Sequence, residues 1–291
     1  MKKKLPLLLM MILLFPICDL AASPDADQYQ KLFYEGNALL EKGEFDAAID
    51  AYTRAIKLNP KGYDALANRG ETFLLKGDFA SAITDLTAAL SLHPKDTLYL
   101  RRGDAYFATG KYDPAISDFT RAISQNPENT QAFYSRGMAY FRAKNRDAAI
   151  ADFTKVIEQN PASAQAYARR GSVYGAKGMY DAAIADFAKA VELDPNDIDA
   201  LTYRGVSYYN NGKYTEAMID FEKAVNIAPE NFRAAYGMAR SHARLNQPEE
   251  ACKWLAKSIE NGFNNIDYIR QDPDLETIRE APCFQKIISA E

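Results

Sequence analysis

The sequence predicts an all-α chain, a solenoid of stacked antiparallel helix pairs, on three observations. Helix-ending prolines fall at Pro60, Pro94, Pro127, Pro161, Pro195 and Pro229, spaced by 34, 33, 34, 34 and 34 residues, and self-similarity at such a period marks an array of one supersecondary unit. In that frame glycine holds the eighth place (Gly36, Gly70, Gly103, Gly137, Gly171, Gly205) and alanine the twentieth (Ala48, Ala82, Ala115, Ala149, Ala183, Ala217). The eleventh and twenty-fourth places are large and apolar, as in Tyr106 with Phe119 and Tyr174 with Phe187. Such knobs fill the space left where small residues let two helices approach.

Before the array, the first 22 residues join three lysines to an apolar run from Leu5 to Ile17 and end in Ala21 and Ala22, the plan of a secretory signal peptide. The run of 13 residues falls short of the roughly 20 that span a membrane. Removal after Ala22 and export to the periplasm or envelope are therefore expected, rather than an uncleaved anchor. The competing plan is a lipoprotein cleaved before Cys18 and anchored to the membrane there, but bulky Ile17 stands where such signals carry a small residue. Residues 23–28 read as a short linker.

The repeats begin near Tyr29, Tyr63, Asp96, Thr130, Ala164 and Ile198, giving boundaries 29–62, 63–95, 96–129, 130–163, 164–197 and 198–231. A degenerate seventh covers 232–265. Gly43, Gly77, Gly110, Gly178 and Gly212 sit between two periodic stretches, where a left-handed residue ends a helix. Asp46, Asp147 and Asp181 then suggest a capped start to the second helix. Lys144 replaces the glycine in the fourth repeat, and the seventh has Ala239 for the eighth-place glycine and Phe263 for the proline. Residues 266–291 lose the repeat but keep Leu275, Ile278, Phe284 and Ile287 at helical spacing. They read as a helical cap over the last open face of the stack.

Six in-register units with these residues resemble the tetratricopeptide repeat (TPR) family over residues 29 to 265. The resemblance implies a right-handed superhelix whose inner, concave face is lined by the first helix of each unit at places 2, 5, 6, 9 and 12. Carried across, this puts Phe33, Tyr34, Asn37, Asn68, Glu71, Arg101, Asp104, Phe107, Gln131, Tyr134, Phe141, Arg169, Ser172, Tyr203, Tyr209, Arg233, Tyr236 and Arg240 on the inside. Aromatic, amide and guanidinium groups suit an extended peptide, because rings supply anchoring area and polar groups hold its backbone. Some relatives clamp a partner's C-terminal carboxylate with two lysines, two asparagines and a basic residue. Here Asn37, Asn68 and Arg101 match, but Phe33 and Thr97 stand in the lysine places.

A second set of charges belongs to the framework. Arginine precedes the eighth-place glycine as Arg69, Arg102, Arg136, Arg170 and Arg204, and aspartate holds the twenty-third place as Asp85, Asp118, Asp152, Asp186 and Asp220. Both are confined to repeats two to six, since the first has Glu35 and Ala51 and the seventh Met238 and Trp254. On antiparallel helices rising ~1.5 Å per residue, places 7 and 23 lie at similar heights. Pairing within a repeat leaves no orphan charge, and an intramolecular Arg–Asp ladder is expected.

Composition narrows the function. With 35 basic and 39 acidic residues, a net charge of −4, the chain lacks the clustered basic excess of a nucleic-acid binder. His93 and His242 lack metal-ligand spacing, no glycine loop cradles phosphate, and Glu249 and Glu250 sit where a helix dipole explains them. No cofactor, metal or enzymatic activity is expected. After Ala22 the cysteines are Cys252 and Cys283, which an oxidising compartment would permit to bridge, the other reading being two buried thiols. The sequence points to a non-catalytic scaffold or adaptor in the cell envelope that binds a protein or extended peptide in its groove, with membrane contact only through a lipidated Cys18. The alternative is a self-associating structural component of an envelope or secretion assembly.

Overall fold

The computed structural model describes residues 24–289, so the expected signal segment, the expected cleavage after Ala22 and the alternative site at Cys18 lie outside the described residues. Those residues form helices and no β-strand, in two compact units that divide between Pro127 and Glu128. The first unit pairs α1 (Pro24–Glu41) with α2 (Phe45–Leu58), α3 (Tyr63–Lys76) with α4 (Phe79–Leu92), and α5 (Asp96–Ala108) with α6 (Tyr112–Gln125). The second pairs α7 (Thr130–Arg142) with α8 (Arg146–Gln159), α9 (Ala164–Ala176) with α10 (Tyr180–Leu193), α11 (Ile198–Asn210) with α12 (Tyr214–Ile227), and α13 (Phe232–Arg244) with α14 (Pro248–Glu260). Within each unit the second helix of a pair packs on the first helix of the next, which makes each unit a solenoid of helix pairs. Residues 24–28, expected as linker, belong to α1, where Ala26 and Tyr29 are buried.

Close helix approach explains the small residues. A Cβ on Gly103 would lie 2.6 Å from the Phe119 ring, inside any tolerable contact. The twenty-fourth place is the centre of each pair: Tyr52, Leu86, Phe119, Phe153, Phe187 and Phe221 are all fully buried. Each such ring or side chain contributes roughly 2–3 kcal/mol of apolar burial. The turn glycines have φ between 74° and 80°, and Lys144 adopts the same left-handed conformation at φ 63°.

The expected caps need correction. Asp46, Asp147 and Asp181 lie inside the first turns of α2, α8 and α10, behind Glu44, Asn145 and Met179. There they face the positive end of the helix dipole and meet cations from the following repeat: Lys76 pairs with Asp46, Lys177 with Asp147, and Lys213 with Asp181 at 3.5 Å. Side-chain capping falls instead to Asp78, Asn129, Asn145, Ser163, Asp197 and Asn231.

The framework charges pair within their repeats. Arg69, Arg102, Arg136, Arg170 and Arg204 each donate Nε and Nη2 to the two carboxylate oxygens of Asp85, Asp118, Asp152, Asp186 and Asp220, at 2.6 to 2.9 Å. Such forked pairs are the strong form of the interaction. These hydrogen bonds, opposing desolvation, push the Arg102, Arg136, Arg170 and Arg204 guanidiniums above their already high ordinary pKa. A further link joins repeats: Arg69 Nη1 donates to Thr53, Arg102 to Thr87 and Arg170 to Thr154, at 2.8 to 3.0 Å. The recurrence of threonine at the twenty-fifth place was the available signal for it.

Beyond α14 the chain folds as α15 (Ile266–Gln271), a 3₁₀ segment (Pro273–Ile278) and α16 (Pro282–Ile288). Ile266, Ile269, Leu275, Ile278 and Phe284 bury themselves with Ala239, Ala243 and Leu255 of the last pair, while Ile287 packs at the margin. A disulfide joins Cys252 on α14 to Cys283 on α16, with Cα atoms 6.0 Å apart.

Candidate partner-binding face

The side chains expected on the inner face separate into three groups, beginning with those in the core. Phe33 is buried, stacked on Tyr29 at 6.3 Å and tilted against Tyr52 at 6.1 Å. Tyr209 and Tyr236 are also buried, so these three are corrected from surface to packing. Phe33 and Tyr236 at place 5 and Tyr209 at place 12 instead join hydrophobic clusters. Phe107 is half-buried against Tyr112, and Phe141 packs beside Ala149, Phe153 and Val173.

The second group is engaged by neighbouring side chains. Asn37 Oδ1 accepts from Tyr52 at 2.7 Å and from Asn68 Nδ2 at 2.8 Å. Arg101 pairs with Glu71 at 2.9 Å and lies 3.8 Å from Asp104. Asn37, Asn68 and Arg101, the three matches to a carboxylate clamp, are thus satisfied from within the unit. Ser172 donates back to the Ala168 carbonyl.

Tyr236 and Arg240 are held by the cap. Tyr236 Oη donates to Asp272 at 2.5 Å, and Arg240 Nε donates to Asp274 at 2.9 Å with its guanidinium 4.4 Å over the Tyr209 ring. Burial first, then the bond to Asp272, pushes the Tyr236 hydroxyl far above the ordinary tyrosine range. Neither aspartate was singled out in the sequence, because nothing in Gln-Asp-Pro-Asp says that the segment folds back onto α13.

The third group stays open to solvent: Tyr34, Gln131, Arg169, Tyr203 and Arg233 are exposed, and Tyr134 partly so. Arg169 Nε donates to Tyr134 Oη at 3.2 Å, bridging α9 and α7. Tyr134 rests edge-on against Phe153, Tyr203 stacks on Phe187, and the Arg233 guanidinium lies 5.2 Å over Phe232. Beside Tyr203 and Arg233 a cavity of about 280 Å³ is lined also by Asp199, Thr202, Glu230 and Asn231. Among the described residues no three His, Cys, Asp or Glu side chains gather as a metal site, and no helix is long and apolar enough to cross a membrane.

Tetratricopeptide repeat family models match residues 35–97, 100–164, 164–197 and 198–231. The chain belongs to the tetratricopeptide repeat family. Among solved TPR structures, one from Parabacteroides merdae is 25% identical with a TM-score of 0.64, covering 87% of this chain and 99% of that one. MamA protein is 30% identical with a TM-score of 0.56, covering 58% and 93%. YrrB, described as a TPR protein with an unusual peptide-binding site, is 26% identical with a TM-score of 0.56, covering 64% and 96%. A stretch of 55 residues is 33% identical to a chloroplastic protein of Arabidopsis thaliana; it is 19% of this chain and spans only 16% of that relative. In TPR terms, the pairs of helices here are a scaffold for protein–protein interaction.

Proposed function

We propose that this TPR protein is a non-catalytic adaptor that binds an extended peptide or a protein segment on its first-helix face, acting in the cell envelope. The observation that carries the reading is the open set Tyr134, Arg169, Tyr203 and Arg233, polar and aromatic groups held in place on first helices but left in solvent. Fixed rings and forked donors are the groups that anchor peptide segments. The description of YrrB as a peptide-binding TPR protein supports the same use of the fold. The envelope location rests on the lysine-led apolar segment Leu5–Ile17. Proteins captured by the tagged chain from its own cells should include some that are lost when Tyr134 and Arg169, or Tyr203, become alanine; identical sets would refute binding through this face. A reporter active only after export, fused behind residues 1–28, tests the location.

A further inference from the structure

We infer that Tyr134 and Arg169 together form an anion anchor, and that the segment docking there carries an internal aspartate or glutamate side chain. The inference rests on the partner-binding reading above and adds the chemistry of the partner.

The protein itself contains a worked instance of this recognition. In the last repeat a tyrosine and an arginine, Tyr236 and Arg240, hold the carboxylates of Asp272 and Asp274, with the backbone at Asp272 extended (φ −62°, ψ 115°). Tyr134 and Arg169 present the same two donor types on neighbouring first helices of the same unit, without the carboxylate. Arg169 spends Nε on the Tyr134 oxygen, which leaves its Nη donors and the tyrosine O–H for an acceptor between them. No carboxylate among the described residues pairs with Arg169, whereas Arg101 in the first unit is neutralised by Glu71 and flanked by Asp104. The position-seven arginines are equally unavailable, each forked onto its own aspartate. Arg233 is less suited, because Asp199 and Glu230 share its cavity and would repel an anion. Charge complementarity therefore selects Tyr134 and Arg169, with a planar carboxylate as the fitting group.

Random peptides displayed on phage would be selected on the full chain, and the enriched sequences measured as fluorescein-labelled peptides by anisotropy. Enriched peptides should share an acidic residue. Changing it to the amide should weaken binding about tenfold or more on the wild type and less than about twofold on Arg169→Ala, while Arg169→Glu shifts selection toward lysine and arginine. Amidating the peptide C-terminus should leave affinity unchanged; loss on amidation overturns the side-chain anchor in favour of a terminal carboxylate. Peptides that bind without an acidic residue, insensitive to Arg169→Ala but lost on Tyr203→Ala, overturn the anchor and leave the first-helix face as the binding surface. Peptides insensitive to both substitutions, or no enrichment at all, overturn both. Arg169 is exposed, so its variants keep the fold, and circular dichroism melting curves verify that.

Discussion

Asp186 accepts two hydrogen bonds from Arg170, from Nε and Nη2, each at 2.8 Å, while Nη1 of the same guanidinium reaches Thr154 at 2.9 Å. One side chain thereby ties α9 to its partner α10 and to α8 of the preceding repeat. Asp186→Ala removes the anion from Arg170, whose side chain is only 17% exposed, and should cost about 2–4 kcal/mol in urea unfolding. Adding Arg170→Ala should recover part of that loss, since the two residues act as a unit. An unchanged midpoint for Asp186→Ala would mean that the pair contributes nothing.

Thr154→Val keeps the volume and deletes the hydroxyl that accepts from Arg170. A loss of about 1 kcal/mol is expected, with Thr154→Ser retaining most of the stability. The twenty-fifth place of the fifth repeat is Ala188, so Arg204 has no threonine hydroxyl there and the corresponding link is missing.

Lys144 occupies a left-handed turn position, φ 63°, where the other repeats in the same unit with a glycine turn have Gly178 and Gly212 at φ 75° and 76°. A side chain in that region costs roughly 1–2 kcal/mol, partly offset by the greater freedom glycine has in the unfolded chain. Lys144→Gly should raise the unfolding midpoint by a net of about 0.5–1 kcal/mol; a fall would show that Lys144 makes contacts worth more than the backbone strain.

The Cys252–Cys283 bridge closes a loop with a sequence separation of 31. In the chain-entropy account, a loop of that length stabilises by about 3–4 kcal/mol. Melting the protein with and without a thiol reductant should show a clear drop in midpoint, and the Cys252→Ala, Cys283→Ala double variant should melt near the reduced protein in either condition. Equal midpoints would mean that Leu275, Ile278 and Phe284 hold the cap by packing alone.

Alkali should destabilise the last repeat and cap. The Tyr236 hydroxyl has a pKa raised above its ordinary value of 10.0 by burial and by Asp272, so the folded state binds its proton more tightly than the unfolded state does. That contribution is fully present below pH of about 10 and falls as pH rises beyond it. Urea midpoints at pH 8, 10 and 11 should decline, and Tyr236→Phe, destabilised at pH 8 by about 1–3 kcal/mol, should decline less steeply. Parallel slopes would assign the alkaline loss to other groups, Tyr29 among them, whose hydroxyl is raised by burial and its bond to Asp64.

The periodic features were legible because each depends on local spacing. Proline, glycine and alanine at set places, and arginine and aspartate at places seven and twenty-three, specify one helix pair at a time. The open residues Tyr134, Arg169 and Tyr203 came instead from the inner-face places that the tetratricopeptide resemblance implies. What failed were statements that needed neighbours: Asp46, Asp147 and Asp181 looked like caps until the lysines of the next repeat came alongside, and Phe33, Tyr209 and Tyr236 looked accessible until their hollows were known.

By itself, then, the sequence determined the helix pairs, their stacking and the charge ladder, because short-range periodicity dictates which face of each helix is apolar and where each helix stops. Only the tertiary structure decided which of the first-helix residues named from the family pattern stay exposed. That depends on long-range contacts, above all the return of Asp272 and Asp274 onto Tyr236 and Arg240, and the energy of such contacts belongs to pairs of residues that no local pattern brings together.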